Sequence, residues 1–127
     1  MKNIEKIAAS ILNQFYVRKP LKLKEGGATT RQSLSNAKEI FSAGYHLIEA
    51  VMYYDKVKGN YRVECLFDDL FDVRKDVVKW VFTGFAIGYG GEGPRGLDEA
   101  MKLFGVDKSD YILGDIKLPD QGTLQLK

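Results

Sequence analysis

The stretch Trp80-Val81-Phe82-Thr83-Gly84-Phe85-Ala86-Ile87-Gly88-Tyr89-Gly90-Gly91-Glu92-Gly93-Pro94-Arg95 joins two kinds of sequence. Ahead of its glycine cluster, residues 77–87 are rich in β-branched and aromatic side chains, as a strand is. Behind it, Pro94 suits the first position of a helix, where an amide is not needed. Leu97, Ala100, Met101 and Phe104 then recur on one helical face, and Gly105 stops it. Four of the 13 glycines fall between positions 88 and 93, so the stretch reads as a strand-to-helix turn. Such a turn aims several backbone N–H groups at one point, and the helix N-terminus adds roughly half a positive charge. The matching ligand is an anion, above all a phosphate, and glycine lets the backbone come close to it.

Upstream, Ile4, Ile7, Ala8, Ile11, Leu12 and Phe15 predict an amphipathic helix over residues 3–15, with Asn3 as its cap. Leu21 and Leu23 alternate with lysines after Pro20, the pattern of a short edge strand over residues 16–24. Glu25-Gly26-Gly27-Ala28 is a break. Thr29 or Thr30 caps a second helix that turns Leu34, Ala37, Ile40 and Phe41 inward and closes at Gly44. From Tyr45 the period becomes two, predicting a strand to Asp55. Its faces are Tyr45, Leu47, Val51, Tyr53 and Ile48, Ala50, Met52, Tyr54. Both are largely apolar, so the strand is either central in its sheet or faces a partner chain. Lys58-Gly59-Asn60 turns it back into residues 61–67 as a hairpin. Asp68, Asp69, Asp72 and Asp76 lie in a charged connection. A strand is expected at residues 111–118, then a turn at Pro119-Asp120-Gln121-Gly122 and a short tail. The order predicts a single α+β domain over residues 1–127, one small antiparallel sheet with flanking helices.

A length of 127 residues supports a core without staples, and 45% hydrophobic with 28% charged residues are globular values. A net charge of +2 is too mild to imply nucleic acid. No apolar run reaches membrane-spanning length, and Met1-Lys2-Asn3-Ile4-Glu5-Lys6 lacks the apolar core of a signal peptide. The expectation is a soluble cytoplasmic protein with no membrane contact. One cysteine, Cys65, fits a reducing compartment.

Gly88, Gly90 and Gly93 match the spacing of a dinucleotide-binding turn, with Asp110 or Asp115 in the place of the ribose acid. That fold requires parallel strands joined by crossover helices, whereas here the motif follows a hairpin. No Gly-Lys-Ser/Thr follows the glycines, which excludes the phosphate loop of nucleotide hydrolases. The plainer alternative is a tight turn packed against the sheet, its helix end complemented by Asp98 and Glu99. Arg95, at the second helical residue, favours a ligand, since its fork reaches a phosphate held at the glycines.

The Gly-Tyr-Gly-Gly-x-Gly-Pro motif, with the strand before it and the Leu/Ala-rich helix after it, resembles a family of small phage- and plasmid-encoded proteins of unassigned function. The resemblance covers residues 77–104, and Ile87 stands where that family commonly has Trp. Its size, origin and glycine-rich turn make it similar to phage antagonists of host defence, including Thoeris anti-defence sponges that sequester cyclic ADP-ribose signals. The resemblance implies a host-cell cytoplasmic location.

The ligand-binding candidates are therefore Gly88, Tyr89, Gly90, Gly91, Gly93, Arg95, Phe82 and Arg31. Tyr89 supplies stacking, and Phe82 lies on the strand face it shares with Trp80, a face that is core or a stacking surface. Arg31 belongs with Arg18, Lys19, Lys22 and Lys24, which form either a cationic rim or a solvated edge. Enzyme chemistry finds little to work with. His46 is the sole histidine, Cys65 pairs with it only if the hairpin register allows, and the aspartates lack the spacing of a calcium loop. No catalytic residue, metal or cofactor is assigned. The expected function is sequestration of an anionic, nucleotide-derived signal by a homo-oligomer, without catalysis. The alternatives are an anti-CRISPR-like inhibitor of a host defence protein with no small ligand and, more distantly, a nucleotide-degrading enzyme using His46.

Overall fold

The structure, a computed structural model of the chain, describes residue 23 and residues 29–69, 77–111 and 118–127. The helix expected at residues 3–15 lies outside them. So do the strand at 16–24 apart from Leu23, the break at 25–28, the connection at 70–76, and residues 112–117 of the strand expected at 111–118. The protein is α+β, an open four-stranded antiparallel sheet with two helices among the described residues.

Helix α1 (Thr30–Ser42) opens at Thr29, whose hydroxyl accepts the Gln32 amide at 3.1 Å and so satisfies one orphan donor of the first turn. It closes at Gly44, where φ is +88°, a value that glycine adopts without strain. Strands β1 (Tyr45–Asp55) and β2 (Asn60–Asp69) form the hairpin. Its tip is set by Asp55, whose Oδ1 accepts the amides of Val57 and Lys58 at 3.1 and 3.0 Å, and by Gly59 at φ +68°. β3 (Val77–Phe82) pairs with β2, and β4 (Gln121–Gln125) pairs with β1, giving the order β3-β2-β1-β4. Helix α2 (Glu92–Leu103) ends in paired bonds from Gly105 to Lys102 and from Val106 to Met101, the Schellman arrangement, with Gly105 at φ +80°. Beyond it, the buried Tyr111 hydroxyl donates to Asp98, and burial together with that carboxylate pushes its phenol well above the usual range.

Four expectations change. Ile48 is an extra residue between the pairs Leu47–Phe67 and Glu49–Leu66, a bulge that reverses the alternation of β1. Leu47 therefore joins Ala50, Met52 and Tyr54 in the core, Ile48 turns outward, and the strand occupies an interior position in the sheet. The tail is not a tail, because Gln121–Gln125 forms β4 against Val51 to Asp55. Gly122 fits closely there, since a Cβ on it would lie 3.2 Å from the Tyr54 hydroxyl. β3 stops at Phe82, not at residue 87. Finally, Gly91 caps α2, so Pro94 is its third residue and Arg95 its fourth.

The inner face of the sheet carries Leu47, Ala50, Met52, Val63, Cys65, Phe67 and Phe82 into a core completed by Ala37 and Ile40 of α1 and by Leu97, Ala100 and Met101 of α2. Leu34 and Leu23 are partly buried against it, whereas Phe41 is 48% exposed. The outer face holds a charged row in which Lys79 lies 2.7 Å and Arg62 3.6 Å from Glu64, and the hydrogen bond from Lys79 holds the Glu64 carboxyl below its ordinary range.

Candidate functional site

The glycine turn is placed by what happens just before it. After β3 the chain leaves the sheet and docks on the first turn of α1. The Gly84 N–H donates to Ser33 Oγ at 2.9 Å, and Thr30 Oγ1 donates to the Gly84 carbonyl at 2.7 Å. Phe85, Ala86 and Ile87 are then buried, the Phe85 ring lying 5.3 Å from that of Phe82. The backbone surfaces again at Gly88, with φ +87°, and Tyr89 is 54% exposed. Residues 83–91 are thus a docked connection, longer than the tight turn the sequence implies, because its apolar middle completes the core.

Each glycine of the cluster has its own circumstances. A Cβ on Gly93 would meet Ala86 and the Tyr89 hydroxyl, each at 2.9 Å, and one on Gly91 would meet the Tyr89 ring at 2.8 Å. These two glycines make room for the Tyr89 ring, which lies over the mouth of α2. Gly88 is explained by its positive φ. Gly90 has neither a positive φ nor any atom within 4 Å of where its Cβ would stand. Among the described residues, no acceptor takes the amides of Gly88, Tyr89, Gly90 or Gly91, and no side chain caps α2.

The tip of the β1–β2 hairpin faces the turn. A Cβ on Gly88 would lie 3.0 Å from Lys56 Cε and 3.5 Å from its Nζ, so the ammonium stands beside the turn. Lys56 is anchored there by its backbone N–H to the Asp120 carbonyl at 2.7 Å and by Nζ to the Leu118 carbonyl at 3.1 Å. The Tyr61 and Tyr89 rings are 6.4 Å apart, and burial, then the Tyr89 phenol and the Asp55 carboxylate, raise the Tyr61 phenol. At the same end of the hairpin is a cleft of about 570 Å³ lined by Tyr53, Tyr54, Asp55, Asn60, Tyr61, Arg62, Thr83 and Gly122 among others.

Of the sequence-predicted residues, Gly88, Tyr89, Gly90, Gly91, Gly93 and Arg95 come together. Arg95 folds back, its Nε donating to the Gly91 carbonyl at 3.1 Å, so its guanidinium sits at the helix mouth. Glu92 in the first turn complements the helix end, leaving Lys56 and Arg95 as the cations at the turn. Phe82 is 1% exposed and packed between Trp80 and Phe85, so its ring belongs to the core. Arg31 is exposed on the first turn of α1, and no hydrogen bond or ion pair among the described residues joins it to the glycines. Arg18, Lys19, Lys22 and Lys24 lie outside the described residues.

The other candidates separate. The hairpin register pairs His46 with Asp68 and Cys65 with Ala50, and His46 is exposed while Cys65 is fully buried, so no Cys–His pair exists. Burial pushes the Cys65 thiol up to about 12, which keeps it protonated and poorly nucleophilic. Asp110 accepts the Asp107 amide at 2.9 Å in a 3-10 turn and does not approach the glycines through any bond. Asp72, Asp76 and Asp115 lie outside the described residues. Among the described residues, no three His, Cys, Asp or Glu side chains gather to hold a metal, and no helix is long and apolar enough to cross a membrane.

Lys56 and Tyr61 are the residues that sequence reasoning missed. Nothing local marks them, since a lysine beside a hairpin tip is ordinary, and only the docking of Gly84 on α1 brings the turn to them. Comparison of the chain with protein-family models, curated proteins and solved structures finds no match.

Proposed function

We propose that the protein is a binding module that holds an anionic, nucleotide-derived small molecule at the glycine turn and leaves it chemically unchanged. One observation carries this reading: the amides from Gly88 to Gly91 have no acceptor among the described residues, and the Lys56 side chain stands beside Gly88. Backbone donors at a helix mouth, a fixed cation and a guanidinium are what an anion's oxygens bind. The phenols of Tyr61 and Tyr89 add flat surfaces for the rest of the molecule. Together with the motif resemblance, this supports a phage-type anti-defence role by sequestration in the host cytoplasm, in a homo-oligomer.

The test is thermal unfolding with a panel of nucleotides, followed by mass spectrometry of ligand released on denaturation. A ligand at roughly a hundred times its Kd stabilises the folded protein by about 2.7 kcal/mol. The expected result is an upward shift in Tm and recovery of the ligand intact. Lys56→Ala and Arg95→Ala are expected to remove the shift, read against each variant's own ligand-free Tm because each also loses one hydrogen bond, to the Leu118 and Gly91 carbonyls respectively. An altered ligand would show an enzyme. A second reading, inhibition of a host defence protein, is favoured by the outer sheet face, where Ile48, Val77 and Val81 are 42%, 56% and 39% exposed. It predicts co-purification with a host protein and indifference to nucleotides.

A further inference from the structure

The glycine turn lies in a segment whose two ends meet at one residue. Thr30, the first residue of α1, donates its hydroxyl to the Gly84 carbonyl at 2.7 Å, where the chain arrives from β3. Its methyl stands 2.3 Å from where a Cβ on Gly96 would be, so it packs against the second turn of α2, where the segment ends. We infer that Thr30 is a positioning residue of the glycine turn: by clasping residues 84–96 at their base it fixes where the amides of Gly88 to Gly91 stand, and so sets the affinity of the turn for an anion. The inference rests on the anion-binding reading and adds to it the residue that shapes the site.

Three observations carry the clasp through to the turn. Gly84 is held at both its polar groups, since its N–H donates to Ser33 Oγ at 2.9 Å while its carbonyl accepts from Thr30. Phe85, Ala86 and Ile87 are then buried, and a close-packed run has no room to swing between Gly84 and Gly88. The Phe85 ring flanks Gly96 as well, at 3.4 Å from the same Cβ position, and a Cβ on Gly93 would lie 2.9 Å from the Ala86 Cβ. The entry and exit of the turn are therefore packed on each other as well as on α1, and Gly88 to Gly91 bridge two fixed ends.

The Thr30 hydroxyl is the part that decides the spacing. Carbon approaches a carbonyl oxygen only to about 3.3 Å, so a methyl in its place cannot occupy the 2.7 Å position and pushes the Gly84 carbonyl away. Donors held in place before a ligand arrives bind it more tightly than donors that must be ordered on binding.

The experiment sets Thr30→Val, which loses the hydroxyl and keeps the methyl, beside Thr30→Ser, which does the reverse, both in the full chain. Two quantities are read at a temperature where each variant is folded: the pyrophosphate Kd by isothermal titration calorimetry, and the amide order parameters of residues 88–91 in the free protein by NMR. A loss of global stability alone moves neither. For Thr30→Val the Kd is expected to rise at least about fivefold, the order of one lost hydrogen bond. Its order parameters at residues 88–91 are expected to fall from about 0.85 toward about 0.6. Thr30→Ser should keep the Kd within about twofold, because the bond to Gly84 remains. Unchanged order parameters in Thr30→Val, or a Kd that does not rise, overturn the inference. So does an equal loss in Thr30→Ser, which assigns the effect to packing. Ser33→Ala removes the acceptor of the Gly84 N–H and should act in the same direction; it decides the question if Thr30→Val does not fold. Absence of pyrophosphate binding by the unaltered protein removes the anion reading, and the order parameters still decide whether Thr30 sets the turn.

Discussion

Two sets of glycines lie within a few residues of one another and do opposite things. Gly84 and Gly96 are close-packed. A Cβ on Gly84 would fall 2.1 Å from the Thr29 carbonyl oxygen, and one on Gly96 would fall 2.3 Å from the Thr30 methyl. Gly88 and Gly90 stand at the surface, where a Cβ would meet the end of the Lys56 side chain or nothing at all. The first set lets the connection and α2 dock on the opening turn of α1, and the second leaves backbone uncovered beside a cation. Glycine therefore marks architecture in one place and exposed donors in the other, and the cost of an added methyl separates the two.

The largest effect is expected at Gly84→Ala. The neighbouring atoms are backbone of the α1 cap, which does not move without breaking the Gly84 bonds to Ser33 and Thr30. Overpacking of this kind costs about 3 kcal/mol or more, visible in urea unfolding as a large fall in midpoint. A loss below about 1 kcal/mol would mean that the docking does not position the turn. Gly96→Ala comes next, at about 1–2 kcal/mol. The Thr30 methyl must shift while its hydroxyl is held by Gly84, but alanine returns about 1 kcal/mol of helix propensity. Thr30→Ser, which removes the methyl and keeps the hydroxyl that holds Gly84, is expected to make Gly96→Ala nearly neutral. A double-mutant cycle on the two changes measures the coupling.

Gly88→Ala sharpens the surface side. The positive φ costs a residue with Cβ about 1 kcal/mol, and the contact with Lys56 Cε at 3.0 Å adds little because that side chain is flexible at its end. Displacing the ammonium should nonetheless weaken pyrophosphate binding more than it weakens the fold. Measuring both on the same variant distinguishes a strained turn from a lost cation.

The same contrast sets what was readable in the sequence. Helix α1 with its Thr29 cap, strand β1 from Tyr45 to Asp55, the hairpin and the Gly105 stop are local devices, and periodicity or a single residue type announces each. The Ile48 bulge leaves no local mark, because an apolar residue suits either face. β4 was hidden by Pro119 and Gly122, which read as a turn until Tyr54 is seen to need the space. At the site, the cluster itself was plain, but the meaning of each glycine depends on distant neighbours: Tyr89 over Gly91 and Gly93, and Lys56 beside Gly88. Phe82 stayed open between core and stacking surface for the same reason, since parity places it on a face without saying what covers that face.

Gly90→Ala is the smallest change in stability and the sharpest test of the comparison. Its φ is not positive and its Cβ would touch nothing, so alanine introduces neither strain nor a clash. Restricting the unfolded chain instead favours the variant, and stability is expected to hold or rise by up to about 0.5 kcal/mol. A glycine that the fold does not need is explained by what must approach it. If an anion meets the amides on either side, a methyl at position 90 stands in its path, and pyrophosphate affinity should drop by at least about tenfold, a change of about 1.4 kcal/mol in binding free energy. A Gly90→Ala variant that is as stable as its parent and binds pyrophosphate as well would place Gly90 with the turn alone, and the division between packed and exposed glycines would lose its functional half.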